Sequence, residues 1–185
     1  MSTPAATSAP AFESHEITTS ESTRSARLKW VIIVDRDLPA GLAVNAAACV
    51  AASVGASVGG MLGPSGLDAD GAEHPGLPWA GCSILAATPE ELLAVRAAVL
   101  ELNAAASDPT AATTSATTSL TADAATAPGT VHLTDMPQSA QTNRVYDSYL
   151  TELAATSAAD LRSGVLSIVG PRKKVDRLTK RLALL

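Results

Sequence analysis

The apolar positions of the chain fall into runs of two kinds. Lys29-Trp-Val-Ile-Ile-Val34 is a continuous apolar run bounded by charge, the pattern of a central strand buried on both faces. Cys82-Ser-Ile-Leu-Ala86 and Gly164-Val-Leu-Ser-Ile-Val169 read as further strands, and Thr130-Val-His-Leu-Thr134 alternates like an edge strand. A short strand is also predicted to begin at Met61. Between these lie helical patterns. Residues 38 to 53 are apolar nearly all round, which predicts a helix packed on more than one side, with Asp37 as its cap, Pro39 in its first turn and Gly55 as its stop.

Thr88-Pro-Glu-Glu91 is the sharpest local signal. Thr88 suits an N-cap, Pro89 the first helical position, and Glu91 the return bond of a capping box. The helix it opens carries Leu92, Val95, Val99 and Leu102 on one face. Residues 142 to 155 read as a helix, and Pro171 opens a last one with Val175, Leu178, Leu182 and Leu185 facing inward. Strands alternating with helices predict an α/β fold: a mixed sheet of about four strands with helices on both faces.

Two tracts break this rhythm. Residues 1 to 26 are rich in Ser, Thr, Ala and Pro, and are expected to form a disordered tail, since they offer little apolar surface to offset the entropy of ordering. Residues 107 to 129 are nearly all Ala, Thr and Ser and read as a low-complexity insertion in the single α/β domain spanning 27 to 185. Residues 59 to 81 form a Gly- and Pro-rich excursion containing His74 and Trp79.

Aromatics make up only 3% of the chain, so aliphatic residues and alanine must build the core. The net charge of −5 argues against a globally basic nucleic-acid coat protein. Yet Arg172, Lys173, Lys174, Arg177, Lys180 and Arg181 crowd the last helix, out of only 13 Lys and Arg in all. A cationic helix face is commonly just solvated; the sharper alternative is phosphate or RNA binding through Lys173, Lys174, Arg177 and Lys180. The N-terminal residues lack the apolar core of a signal peptide, and no window predicts a membrane span, so a cytoplasmic protein is expected. The two cysteines, Cys49 and Cys82, are expected to be free thiols, Cys82 an inert one in the core. Neither they nor His15, His74 and His132 show ligand spacing, so no metal and no cofactor is expected. Phosphate-loop, dinucleotide and nucleophile-elbow motifs are absent.

Several segments carry a resemblance. Val31-Ile-Ile-Val-Asp-Arg-Asp-Leu38 looks like the opening strand and Asp-Leu pair of the type-two peptidyl-tRNA hydrolases. Val165-Leu-Ser-Ile-Val-Gly-Pro171, with Asp176-Arg-Leu-Thr-Lys-Arg-Leu-Ala-Leu184, resembles that family's last strand, Gly-Pro turn and helix. A nearer resemblance is to the domain of unknown function two thousand, on Asn45, on Gln141-Thr-Asn143-Arg144, and on Arg172-Lys-Lys-Val-Asp-Arg-Leu-Thr-Lys180. The resemblance implies a type-two peptidyl-tRNA hydrolase-like fold. It does not carry over that enzyme's catalytic pair, because Leu42 stands where the hydrolases place Lys and Ala48 where they place His.

Two functional readings follow. In the first, the chain is a small binding or regulatory protein with a ligand cleft beside Asn45, Asn143 and Arg144, and with His74 as a further binding candidate. In the second, it is a diverged hydrolase of peptidyl-tRNA or of a small ester or amide, with Asp135 as the catalytic base and Asn45 as an oxyanion donor. A small-molecule ligand or tRNA is the expected partner, and a homodimer is plausible.

Overall fold

Strand β1 (Leu28–Asp35) lies at the centre of the protein, with all but Lys29 of its eight residues buried. A computed structural model describes residues 9–107 and 129–185. After β1 come α1 (Ala40–Ser57), a small hairpin of β2 (Gly66–Leu67) and β3 (Glu73–His74), then β4 (Cys82–Ala87) and α2 (Pro89–Ser107). The chain continues through β5 (His132–Pro137), α3 (Gln138–Thr142), α4 (Tyr146–Ala155), β6 (Ser163–Pro171), α5 (Arg172–Thr179) and β7 (Ala183–Leu184). The main sheet is five-stranded and mixed, in the order β5-β6-β1-β4-β7. β1 runs parallel to β4 and antiparallel to β6, which also pairs antiparallel with β5.

The period of two along the central strands sends alternate side chains into two cores. Trp30, Ile32, Val34, Val165 and Val169 pack under α1 with Ala46, Val50 and Val54. Val31, Ile33, Leu166 and Ile168 pack on the other face with Leu92, Val95 and Val99 of α2 and Val175 of α5. The one polar pair deep in the first core is matched: Trp30 Nε1 donates to Ser167 Oγ at 2.9 Å, both buried.

Four expectations need correction. The segment expected to be a disordered tail through residue 26 is ordered over residues 9–26, where Phe12 is buried and meets Trp79 edge-on at 4.7 Å. Phe12 N–H donates to the Gly59 carbonyl at 2.9 Å, and Gly60 next to it takes φ +69, where a Cβ would stand 2.6 Å from the Phe12 carbonyl oxygen. Phe12 and Ile17 are isolated in a polar stretch and show no period, yet both pack on the core under α1. Second, α1 runs past Gly55 to Ser57; Asp37 does not cap it, and its N-cap Pro39 has no side-chain bond to offer. Only Ala46, Val50 and Val54 of α1 are fully buried, so the helix packs on one side rather than several. Third, Met61 opens no strand; Leu62 makes an isolated bridge to Pro78. Fourth, the helix expected over 142–155 is broken at Asn143–Val145 into α3 and α4, and the last helix stops at Thr179, leaving Leu185 exposed. Of the predicted Ala/Thr insertion, residues 108–128 lie outside the described residues.

Candidate functional site

Where α1 meets the edge strand β5, the chain bends back through α3 and α4 and leaves a pocket of ≈ 500 Å³. Its floor is apolar, from Val50, Met136, Pro137 and Ala140. Polar groups ring it: the hydroxyls of Ser53 and Thr134, the Cys49 thiol, Asn143, Arg144, Tyr146 and Tyr149. Spacing explains the walls. Cys49, Val50 and Ser53 recur at helical intervals on one flank of α1, and Tyr146 and Tyr149 are three apart on α4. The tyrosines meet edge to face, with ring centroids 5.5 Å apart. Burial raises the Tyr149 hydroxyl's pKa, helped by Tyr146 and by the negative charge of Asp135, so it stays protonated and can donate.

The predicted residues divide. Asn143 and Arg144 come together at this pocket, but they play different parts. Asn143 Nδ2 donates to the Ser139 carbonyl at 2.9 Å and to Glu152 Oε2 at 2.8 Å, so it closes α3 and ties it to α4. Arg144 is exposed and makes no ion pair or hydrogen bond among the described residues. Asp135 contributes to the rim, but its carboxylate is held on the α2 side of β5, where Oδ2 accepts from Arg96 Nε at 2.9 Å and from Ser163 Oγ at 3.3 Å. Asn45 is exposed on α1 outside the lining of this pocket, and its amide makes no hydrogen bond among the described residues, so the cleft expected beside Asn45, Asn143 and Arg144 gathers only the last two.

His74 sits far along the chain's excursion, in the β2–β3 hairpin, where its Nε2 faces Asp68 Oδ2 at 3.3 Å. Asp68 also accepts the backbone N–H groups of Asp70 and Ala72, so it shapes the hairpin turn. Lys173, Arg177 and Lys180 are exposed on α5 and its end, whereas Lys174 is spent on the Gly129 carbonyl at 2.5 Å. Lys174 and Arg177 edge a shallow apolar groove against Ala94, Ala98 and Leu102 of α2. Cys82 begins its strand at an exposed position, unlike the core thiol expected, but the protein around its sulfur pushes the thiol up to about 12 by burial, which favours the protonated form at neutral pH. Among the described residues, no three His, Cys, Asp or Glu side chains gather where an ion could sit.

Sequence reasoning missed Cys49, Ser53, Tyr146 and Tyr149. One signal was available for the last two: they are the chain's two tyrosines, three residues apart and close after Asn143 and Arg144.

The family described as "Protein of unknown function (DUF2000)" matches residues 28–127 and 110–185. The solved structure of a protein of unknown function from Agrobacterium tumefaciens is similar, with a TM-score of 0.61 at 16% identity, covering 86% of this chain and 98% of that one. At that identity the likeness is one of fold. No protein with a curated description matches the chain.

Proposed function

The chain belongs to the DUF2000 family, and we propose that this member is a cytosolic binding protein for a small, flat, anionic molecule, held in the pocket between α1, β5 and α4. The carrying observation is the guanidinium of Arg144, unpaired among the described residues, beside two tyrosines over an apolar floor. A guanidinium offers a fork of donors that matches a carboxylate, and tyrosine rings supply flat contact area at small entropic cost. The ≈ 500 Å³ of the pocket suits a one- or two-ring ligand, within the range of about 300–1,000 Å³ common for such sites. Thr134, Ser53 and the Tyr149 hydroxyl would orient it. The test is calorimetry against a panel of aromatic carboxylates. Binding that drops at least about tenfold in Arg144→Gln and in Tyr149→Ala supports the reading, at roughly 1.4 kcal/mol per tenfold. A panel without binders, or affinity untouched by Arg144→Gln, sinks it.

The diverged-hydrolase reading, on the type-two peptidyl-tRNA hydrolase-like scaffold that the sequence resembles, has less support. A base must be free to take a proton, and Asp135 is already paired with Arg96. Asn45 points to solvent on the helix over the opposite face of the sheet. Release of tRNA from an N-blocked aminoacyl-tRNA, lost in Asp135→Ala, would restore that reading against the expected absence of turnover. RNA binding by α5 is weaker still, since Lys174 is engaged and Asp176, paired with Lys29 at 2.6 Å, stands among its cations.

A further inference from the structure

Helix α1 carries no charged residue among its 18, and three of them anchor it fully in the core. It is nonetheless long and apolar enough to cross a membrane by length and composition, with a mean hydropathy of 1.5. Its surplus of apolar surface is on the outside. Val44 is 70% exposed and Leu42 44%, and the outward face also carries Gly41, Ala48 and Ala52, with Asn45 as its one amide. The face continues past Cys49 across the pocket mouth onto α4, where Tyr146 is 73% exposed and Leu150, one turn on, 45%. Val145, just before α4, adds 59%. Helix α4 has no buried residue of its own. A helix of ten residues in which only Tyr149 and Leu153 are part-buried is marginal in water, so it gains from being covered.

We propose that this face, from Val44 across Ala48 to Tyr146 and Leu150, is a two-fold interface between two copies of the chain. If all its large side chains and alanines were covered, their exposed surface would approach the half-interface of a standard complex, roughly 800 Å² per copy. Charge selects the occupant. A partner bringing charged side chains to α1 would strip them of water with nothing there to pair them. A second α1 is an uncharged surface of equal length, and a two-fold axis sets the patch on itself. Small residues at Gly41, Ala48 and Ala52 let the two helix axes approach to about 8–10 Å. A lipid surface fits less well, because helices that lie on membranes present Lys, Arg and bulky aromatics, and α1 has none of these. Pairing would bury Cys49 and narrow the pocket mouth beside Tyr146. The interface does not depend on the ligand proposed above.

The test is the mass of the full chain in solution by light scattering, with Ala48→Glu and Val44→Asp as variants. Both substitutions are at exposed positions and keep the helix's inner face, which circular dichroism checks. A wild-type dimer that both variants weaken at least about 100-fold supports the interface. Iodoacetamide then labels Cys49 faster in the variants than in wild type, with Cys82 on β4, outside the face, labelling at the same rate in all three. A wild type that stays monomeric at high micromolar concentration overturns the proposal. So does a dimer indifferent to both variants, and so does a monomer that sediments with lipid vesicles through α1.

Discussion

On the α2 side of the sheet, the polar side chains of the outer layer pair with one another; on the α1 side, the exposed side chains of Asn45 and Arg144 have no partner among the described residues. The N-terminus of α2 closes its capping box in both directions, Thr88 N–H to Glu91 Oε2 at 2.8 Å and Glu91 N–H to Thr88 Oγ1 at 3.2 Å. The same Glu91 carboxylate takes Arg36, and Arg96 takes Asp135. Asn103 reaches from α2 to the start of β5 and bonds both backbone groups of Val131, donating at 2.8 Å and accepting at 2.9 Å. Across the sheet, α1 begins without a side-chain cap, the side chains of Asn45 and Arg144 have no partner among the described residues, and no residue of α4 is fully buried. Both faces have a close-packed core beneath the helices. They differ in their outer layer, which is finished on one side and left open on the other. An outer layer with unspent donors, a pocket and bare apolar surface is where ligands and partners act; a finished one mainly sets stability.

If that division is right, the largest effect comes from the core under α2. Leu166→Ala, at a fully buried position on β6, is expected to cost about 2–5 kcal/mol, read as a shifted urea midpoint with unchanged slope. Ala52→Ser on the outer face of α1 should stay within about 0.5 kcal/mol by the same measurement. Equal losses at the two positions would mean that the α1 face is itself structural.

Asn103→Ala comes next. It leaves the N–H and carbonyl of buried Val131 without partners, at an expected cost of about 1–3 kcal/mol for each group that water cannot reach. The binding of aromatic carboxylates should survive it, since Asn103 lies on the other side of β5 from the pocket. Lost binding with modest destabilisation would show that the two sides are coupled through β5.

The same division explains what the sequence made legible. Strands β1, β4 and β6 and the start of α2 stood out because each rests on one local rule: an apolar run, or a capping box. The fifth strand of the sheet did not, because β7 is two exposed residues paired only with Leu85 and Ala86. The alanine helix suggested burial on several sides, but composition reports apolarity and not which face is covered. Asn143 and Arg144 were found as neighbours in sequence, while their division of labour depends on Ser139, Glu152 and the direction in which α4 leaves. Asp135 was taken for a base because its chemistry allowed it; its partner, Arg96, is 39 residues away on another element. Pairings at that distance come from the fold, which no local pattern encodes.

The smallest effect expected is also the one confined to the open side. The N-terminal segment lends Phe12 to the core under α1 and is clamped by the Glu16–Arg27 ion pair. The Arg27 guanidinium holds the Glu16 carboxyl down at about 2, against an ordinary 4.5. A carboxyl depressed by folding adds stability that is fully present above its unfolded value and is lost as pH falls toward its folded one. The clamp should therefore hold above pH 4.5 and release as pH drops toward about 2. Arg27 is half exposed, so salt screens part of the pairing and the release shows as detachment of the segment, not as global unfolding. The Trp79 indole proton, donated to the Gly60 carbonyl at 2.8 Å beside Phe12, is the local reporter by NMR. Its shift should move across that window in wild type and be flat in Glu16→Gln, already displaced toward the detached position. Core resonances near Leu166 should stay still in both. If they moved together with Trp79, the segment would belong to the cooperative core and the open side would begin further out, at α4.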